Sequence, residues 1–114
     1  MMQDWNNYRD SLLQQVGNYA QQSPDVIRGL TTIDNAASKT GHLDAKTHEL
    51  IALAVAVTTR CDGCISVHTK KAVENGATLG EISEALSVAV ALNAGAALVY
   101  SARVLEAHSQ LPNA

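Results

Sequence analysis

From Trp5 to Leu105 apolar residues recur every three or four positions, and no stretch alternates with period two. That spacing lines side chains along one face of a helix and gives no half-buried strand. Trp5, Tyr8, Leu12, Val16 and Tyr19 make such a stripe over about residues 4–21. Ser23 then Pro24 is a restart, an N-cap followed by proline at the first helical position. Val26, Leu30, Ile33 and Ala37 carry a second helix to about residue 40, where Gly41 fits the residue after the end. Asp44 caps a third helix that runs to about residue 59. Its side chains are apolar nearly all round (Leu50, Ile51, Leu53, Val55, Val57), which predicts a central, buried helix. A fourth ends near Asn75 with Gly76 behind it, and Thr78 with Glu81 forms a T-x-x-E capping box for a fifth. Ile82, Leu86, Ala89 and Val90 give that helix a core face. Asn93 and Gly95 interrupt its pattern and predict a split. A last helix then passes through Leu98, Ala102 and Leu105 and ends near Ser109, with Pro112 in a tail.

These signals predict an all-α, single-domain bundle of about six helices. Residues 1–22 form an N-terminal helix packed on the core or on a neighbouring subunit, residues 23–110 the helical domain, and residues 111–114 the tail. One domain suits 114 residues. The hydrophobic share is 46%, but it contains no Phe and is mostly Ala, Leu, Val and Ile. Small side chains bury little area each, so a lone subunit has a thin core and association with copies of itself is expected. A net charge of −3 argues against nucleic acid. The polar N-terminus lacks the order of a secretory signal, and the longest apolar run, residues 50–57, is too short to span a bilayer. The expectation is a cytoplasmic protein that engages no membrane.

Chemistry concentrates in residues 49–68, ELIALAVAVTTRCDGCISVH. Cys61 and Cys64 stand in CxxC spacing, His68 follows four residues after the second, and Glu49 lies twelve before the first. In a reducing compartment such a pair points to catalysis or metal rather than to a structural disulfide. On one helix Cys61, Cys64 and His68 fall at i, i+3 and i+7, which puts the imidazole a turn from Cys64. A helix N-terminus favours thiolate. Glu49, set in an apolar helix, loses hydration there and approaches general-base duty. It is otherwise a structural acid that caps a backbone group or pairs with Arg60. Spacing favours Cys64 as nucleophile with Cys61 resolving; the reverse order has in its favour that Cys61 is nearer the helix end. Zinc held by Cys61, Cys64 and His68, with Glu49 or His48 as fourth ligand, is a rival. Three ligands on one helix strain a closed tetrahedral site.

Glu49, Cys61, Cys64 and His68, in the order E-x11-C-x2-C-x3-H, resemble the signature of the alkylhydroperoxidase D-like proteins of the carboxymuconolactone decarboxylase family. LDAKTHELIALAVAV before the motif and HTKKAVENGATLGEISEAL after it are similar to that family's central region, and the likeness covers about residues 24–105. The resemblance implies an all-helical thiol peroxidase that forms a disulfide at its active site. In it Cys64 attacks an organic hydroperoxide or hydrogen peroxide, Cys61 resolves, and Glu49 with His68 relays the proton. It further implies a dithiol protein as electron donor, no cofactor or resident metal, and a trimer or hexamer. The best-studied peroxidase branch carries a second histidine directly before the second cysteine; here that position is Gly63. The decarboxylase branch lacks the CxxC pair, and a lyase acting on a small lactone acid is the alternative reading. A non-catalytic assembly or zinc-binding module is the third.

Overall fold

Five helices fill the computed structural model, which describes residues 1–113. They are α1 (Trp5–Gln22), α2 (Pro24–Thr40), α3 (Ala45–Thr59), α4 (Asp62–Glu74) and α5 (Leu79–Ser109), with no strand among the described residues. The helix boundaries follow local chemistry. Asp44 caps α3 by accepting the Thr47 N–H at 2.8 Å. Gly41 ends α2 at φ 72°, and Gly76 turns the chain after α4 at φ 86°, both in the left-handed region that costs glycine little. Thr78 and Glu81 close a reciprocal capping box at the start of α5. Ser23 stands at the N-cap of α2 but makes no capping hydrogen bond with its side chain.

The predicted break at Asn93 and Gly95 does not occur, and α5 continues as one helix of 31 residues. The Asn93 amide donates to the Ala89 carbonyl one turn back at 2.7 Å and to Thr58 Oγ on α3 at 2.9 Å. Its polar group is therefore satisfied without leaving the helix. A single interior glycine costs only about 1 kcal/mol, which the Ala and Leu residues on either side, strong helix formers, offset. An 18-residue window of α5 has mean hydropathy 1.7 and is 6% buried, so by length and composition this helix is able to cross a membrane. The longest unbroken apolar run nevertheless remains residues 50–57, because Ser87, Asn93, Gly95 and Ser101 interrupt α5.

α3 packs against α4 and α5, and α1 lies across α4. The contact is made by small residues: Ala56, Ala72 and Ala89, with Leu53, are the buried apolar side chains among the described residues. Alanine lets helix axes approach closely but contributes little area. α3 is central yet only half covered, with Ile51 48% and Val55 55% exposed, so the prediction of an all-round buried helix is corrected. α2 buries no residue at all.

Candidate functional site

Arg60 ends α3 in the left-handed region at φ 56°, unusual for a residue with a side chain. Its N–H and that of Cys61 both turn back to the Ala56 carbonyl. This tight reversal delivers Cys61 to the N-cap of α4, with extended backbone (φ −98°, ψ 99°). Cys61 is thus the cap rather than a member of the helix, and the predicted stripe of three on one helix is corrected to Cys64 and His68, four apart. Cys61 Sγ accepts the Cys64 N–H at 3.1 Å, the role an Asp or Ser oxygen plays at other N-caps. The two cysteines are joined as a disulfide, with their Cα atoms 5.3 Å apart.

The carbonyls of this first turn are also engaged. Ser66, a buried polar residue, donates from Oγ to the Gly63 carbonyl at 2.9 Å, and Arg9 of α1 donates from Nε to the Ser66 carbonyl at 2.9 Å. Beside that tie, Leu12 of α1 covers Gly63: a β-carbon at position 63 would lie 2.7 Å from Leu12 Cδ2, inside normal contact. The glycine in the CxxC turn is therefore the space that Leu12 fills.

On the next turn of α4, His68 Nδ1 lies 2.6 Å from Glu49 Oε2 on α3, and both side chains are largely buried. An ionised carboxylate only accepts, so this bond places the ring proton on Nδ1 and leaves Nε2 as the nitrogen open to exchange. The structure thus pairs Glu49 with His68, and not with Arg60. Among the described residues no hydrogen bond joins His68 to either sulfur. Glu49 and His68 also line a cleft of about 420 Å³ between α2, α3 and α4, together with Asp34, Ser38, His48 and Lys71. Neither cysteine lines it. Among the described residues no three His, Cys, Asp or Glu side chains converge as a metal site, and the zinc reading gains no geometric support.

Sequence reasoning missed Arg9, Leu12 and Ser66. Arg9 and Ser66 are 57 positions apart, and no periodic signal links them. Lys71, read as solvent-facing, is exposed but stands at the cleft.

Comparison with known proteins places this arrangement among relatives. The carboxymuconolactone decarboxylase family model matches residues 24–107. An uncharacterised protein of Haemophilus influenzae is 48% identical over 109 residues, covering 96% of both chains. One from Cupriavidus necator is 32% identical, covering 80% of each. Among solved structures, the apo form of a carboxymuconolactone decarboxylase family protein from Legionella pneumophila superposes with a TM-score of 0.73. It is 36% identical, over 93% of this chain and 95% of that one.

Proposed function

The chain belongs to the carboxymuconolactone decarboxylase family, and from that premise we propose that it is a thiol-dependent peroxidase of the alkylhydroperoxidase D type. The observation that carries the reading is the Cys61–Cys64 disulfide at the N-terminus of α4 with His68, held by Glu49, one turn beyond Cys64.

In this mechanism the reduced Cys64 attacks the outer oxygen of a hydroperoxide as thiolate. An S–O bond forms, the O–O bond breaks, and the alkoxide leaves as alcohol with a proton supplied by way of His68. Cys64 is then a sulfenic acid. Cys61, favoured as thiolate by its place at the helix end, attacks that sulfur; the disulfide forms and the hydroxyl leaves as water. A dithiol protein returns two electrons and two protons, and the cycle closes. Glu49 keeps the imidazole in one tautomer and orientation throughout. No cofactor or resident metal enters. The reading places the protein in the cytoplasm, as an oligomer.

The test is peroxide turnover with a dithiol donor. Cys64→Ser abolishes it, whereas Cys61→Ser stops after one event and leaves a sulfenic acid on Cys64, visible by intact mass after trapping. Full activity in both variants would refute the assignment. A second reading, a lyase acting on a small lactone acid, is favoured by the cleft that exposes Glu49 and His68 without either sulfur. Lactone turnover that survives removal of both thiols would select it.

A further inference from the structure

α4 is gripped on two sides, and the proton relay uses only one of them. At about 100° per residue, Cys64 and His68 share one side of α4, where Glu49 of α3 holds the imidazole, and Gly63 and Ser66 share the opposite side. On that opposite side α1 stands against the helix. Arg9 donates from Nε to the Ser66 carbonyl at 2.9 Å, and the Ser66 hydroxyl donates to the Gly63 carbonyl at 2.9 Å. Leu12 covers Gly63 beside them. A continuous line of bonds thus runs from a guanidinium on α1 to the Gly63–Cys64 peptide, inside the CxxC turn.

Formation of α4 does not require this line. Cys61 Sγ caps the helix, and a carbonyl oxygen has two lone pairs, so the guanidinium adds to the Ser66 carbonyl without replacing a ladder bond. Ordering a long charged side chain costs entropy, and the bond it makes here is the stronger, charge-assisted kind. The line ends on the residue that most needs restraint. Gly63 gives the CxxC turn more backbone freedom than any other residue would, and closing a disulfide depends on how well the two sulfurs are held together. The family match begins at residue 24, so this grip comes from a helix that precedes it.

We propose that Arg9 and Ser66 are positioning residues for the Cys61–Cys64 pair: they hold the Gly63 peptide from behind α4 and keep the two sulfurs within closing distance in the reduced chain. The step they serve is attack of the Cys61 thiolate on the Cys64 sulfenic acid. The S–S bond forms as the S–O bond breaks, and the hydroxide takes a proton and leaves as water. This deepens the peroxidase reading and rests on it for that step, but closure itself is measurable without peroxide.

The test uses the reduced full chain as wild type, Arg9→Gln, Arg9→Lys and Ser66→Ala, with an aromatic disulfide whose thiolate is coloured once released. One cysteine attacks the reagent, forms a mixed disulfide and releases the first thiolate. The other then attacks the protein sulfur of that mixed disulfide; the Cys61–Cys64 bond forms and the second thiolate leaves. The ratio of the second rate to the first reports closure separately from access. It is expected to fall about tenfold in Arg9→Gln and in Ser66→Ala, the scale of a small displacement of a reacting group. Arg9→Lys, which keeps a charged donor, recovers part of the loss. Ser66→Ala leaves the backbone carbonyl and the Arg9 bond in place, keeps the circular dichroism of the wild type, and decides the matter if Arg9→Gln loses its helicity. With excess organic hydroperoxide the slowed variants gain a sulfinic acid on Cys64, because the sulfenic acid waits longer for Cys61. An unchanged ratio in Ser66→Ala would overturn the proposal. So would two rates that change together, which would make α1 a cover over the sulfurs rather than a brace. Variants slow to close beside a wild type that loses no thiol to peroxide would overturn the peroxidase reading alone and leave the brace standing.

Discussion

Leu12 sets the space available beside the CxxC turn, and Gly63 is the residue that leaves it room. The family histidine at that position would bring its β-carbon within 2.7 Å of Leu12 Cδ2, so the Leu12 side chain has to turn aside first. Gly63→His is expected to cost about 1–3 kcal/mol in urea denaturation at fixed chain concentration, the range for overpacking. Leu12→Ala in the same chain recovers part of that loss, because the two side chains compete for one volume. Purely additive losses would mean that Leu12 is not the obstacle. The Glu49–His68 pair was legible at this scale, since a lone acid in an apolar helix and a histidine seven residues past the first cysteine are visible in the sequence. The Leu12–Gly63 contact and the Arg9 tie to Ser66 were not, because a contact across 51 or 57 positions leaves no local trace.

Helix ends are where local chemistry speaks most plainly, and there the sequence was read well. Asp44, Gly41, Gly76 and the Thr78–Glu81 box act within one turn of themselves. Asn93 misled because its amide is satisfied by Ala89 and by Thr58 of another helix, a partner that periodicity does not reveal. α3 and α5 are also tied at their first turns by Lys46 and Glu81, 2.8 Å apart. The Lys46 hydrogen bond, and then that of the Thr78 N–H, hold the Glu81 carboxyl below its ordinary 4.5. The same Glu81 raises Lys46 above 10.5. The Glu81 contribution is complete above 4.5 and is lost as pH falls through its lowered value. That of Lys46 is complete below 10.5 and is lost as pH rises through its raised value. Asp44, lowered from 3.8 by its hydrogen bonds to Thr47, adds to the acid limb. Thermal melts across pH are expected to show a plateau at neutrality and a fall on acidification. Glu81→Gln flattens the fall, and an unchanged acid limb would remove the ion pair from the account.

Over the whole molecule, function and exposure pull in one direction. The disulfide and the Glu49–His68 pair sit on the α3–α4 junction, where Ala56 and Ala72 are buried, while α2 and most of α5 remain uncovered. Composition foretold the thin core: without Phe and with few aromatics, 114 residues cannot cover 31 apolar-rich residues of α5 from within. It did not foretell which faces stay open, because that depends on how little of α2 the other helices cover. The central claim, a dithiol that peroxide oxidises, is tested most directly by counting thiols on the reduced protein before and after one equivalent of an organic hydroperoxide. The account predicts that two thiols per chain disappear within seconds, with a disulfide between Cys61 and Cys64 as product. Thiols that persist in the assembled, reduced protein would contradict it.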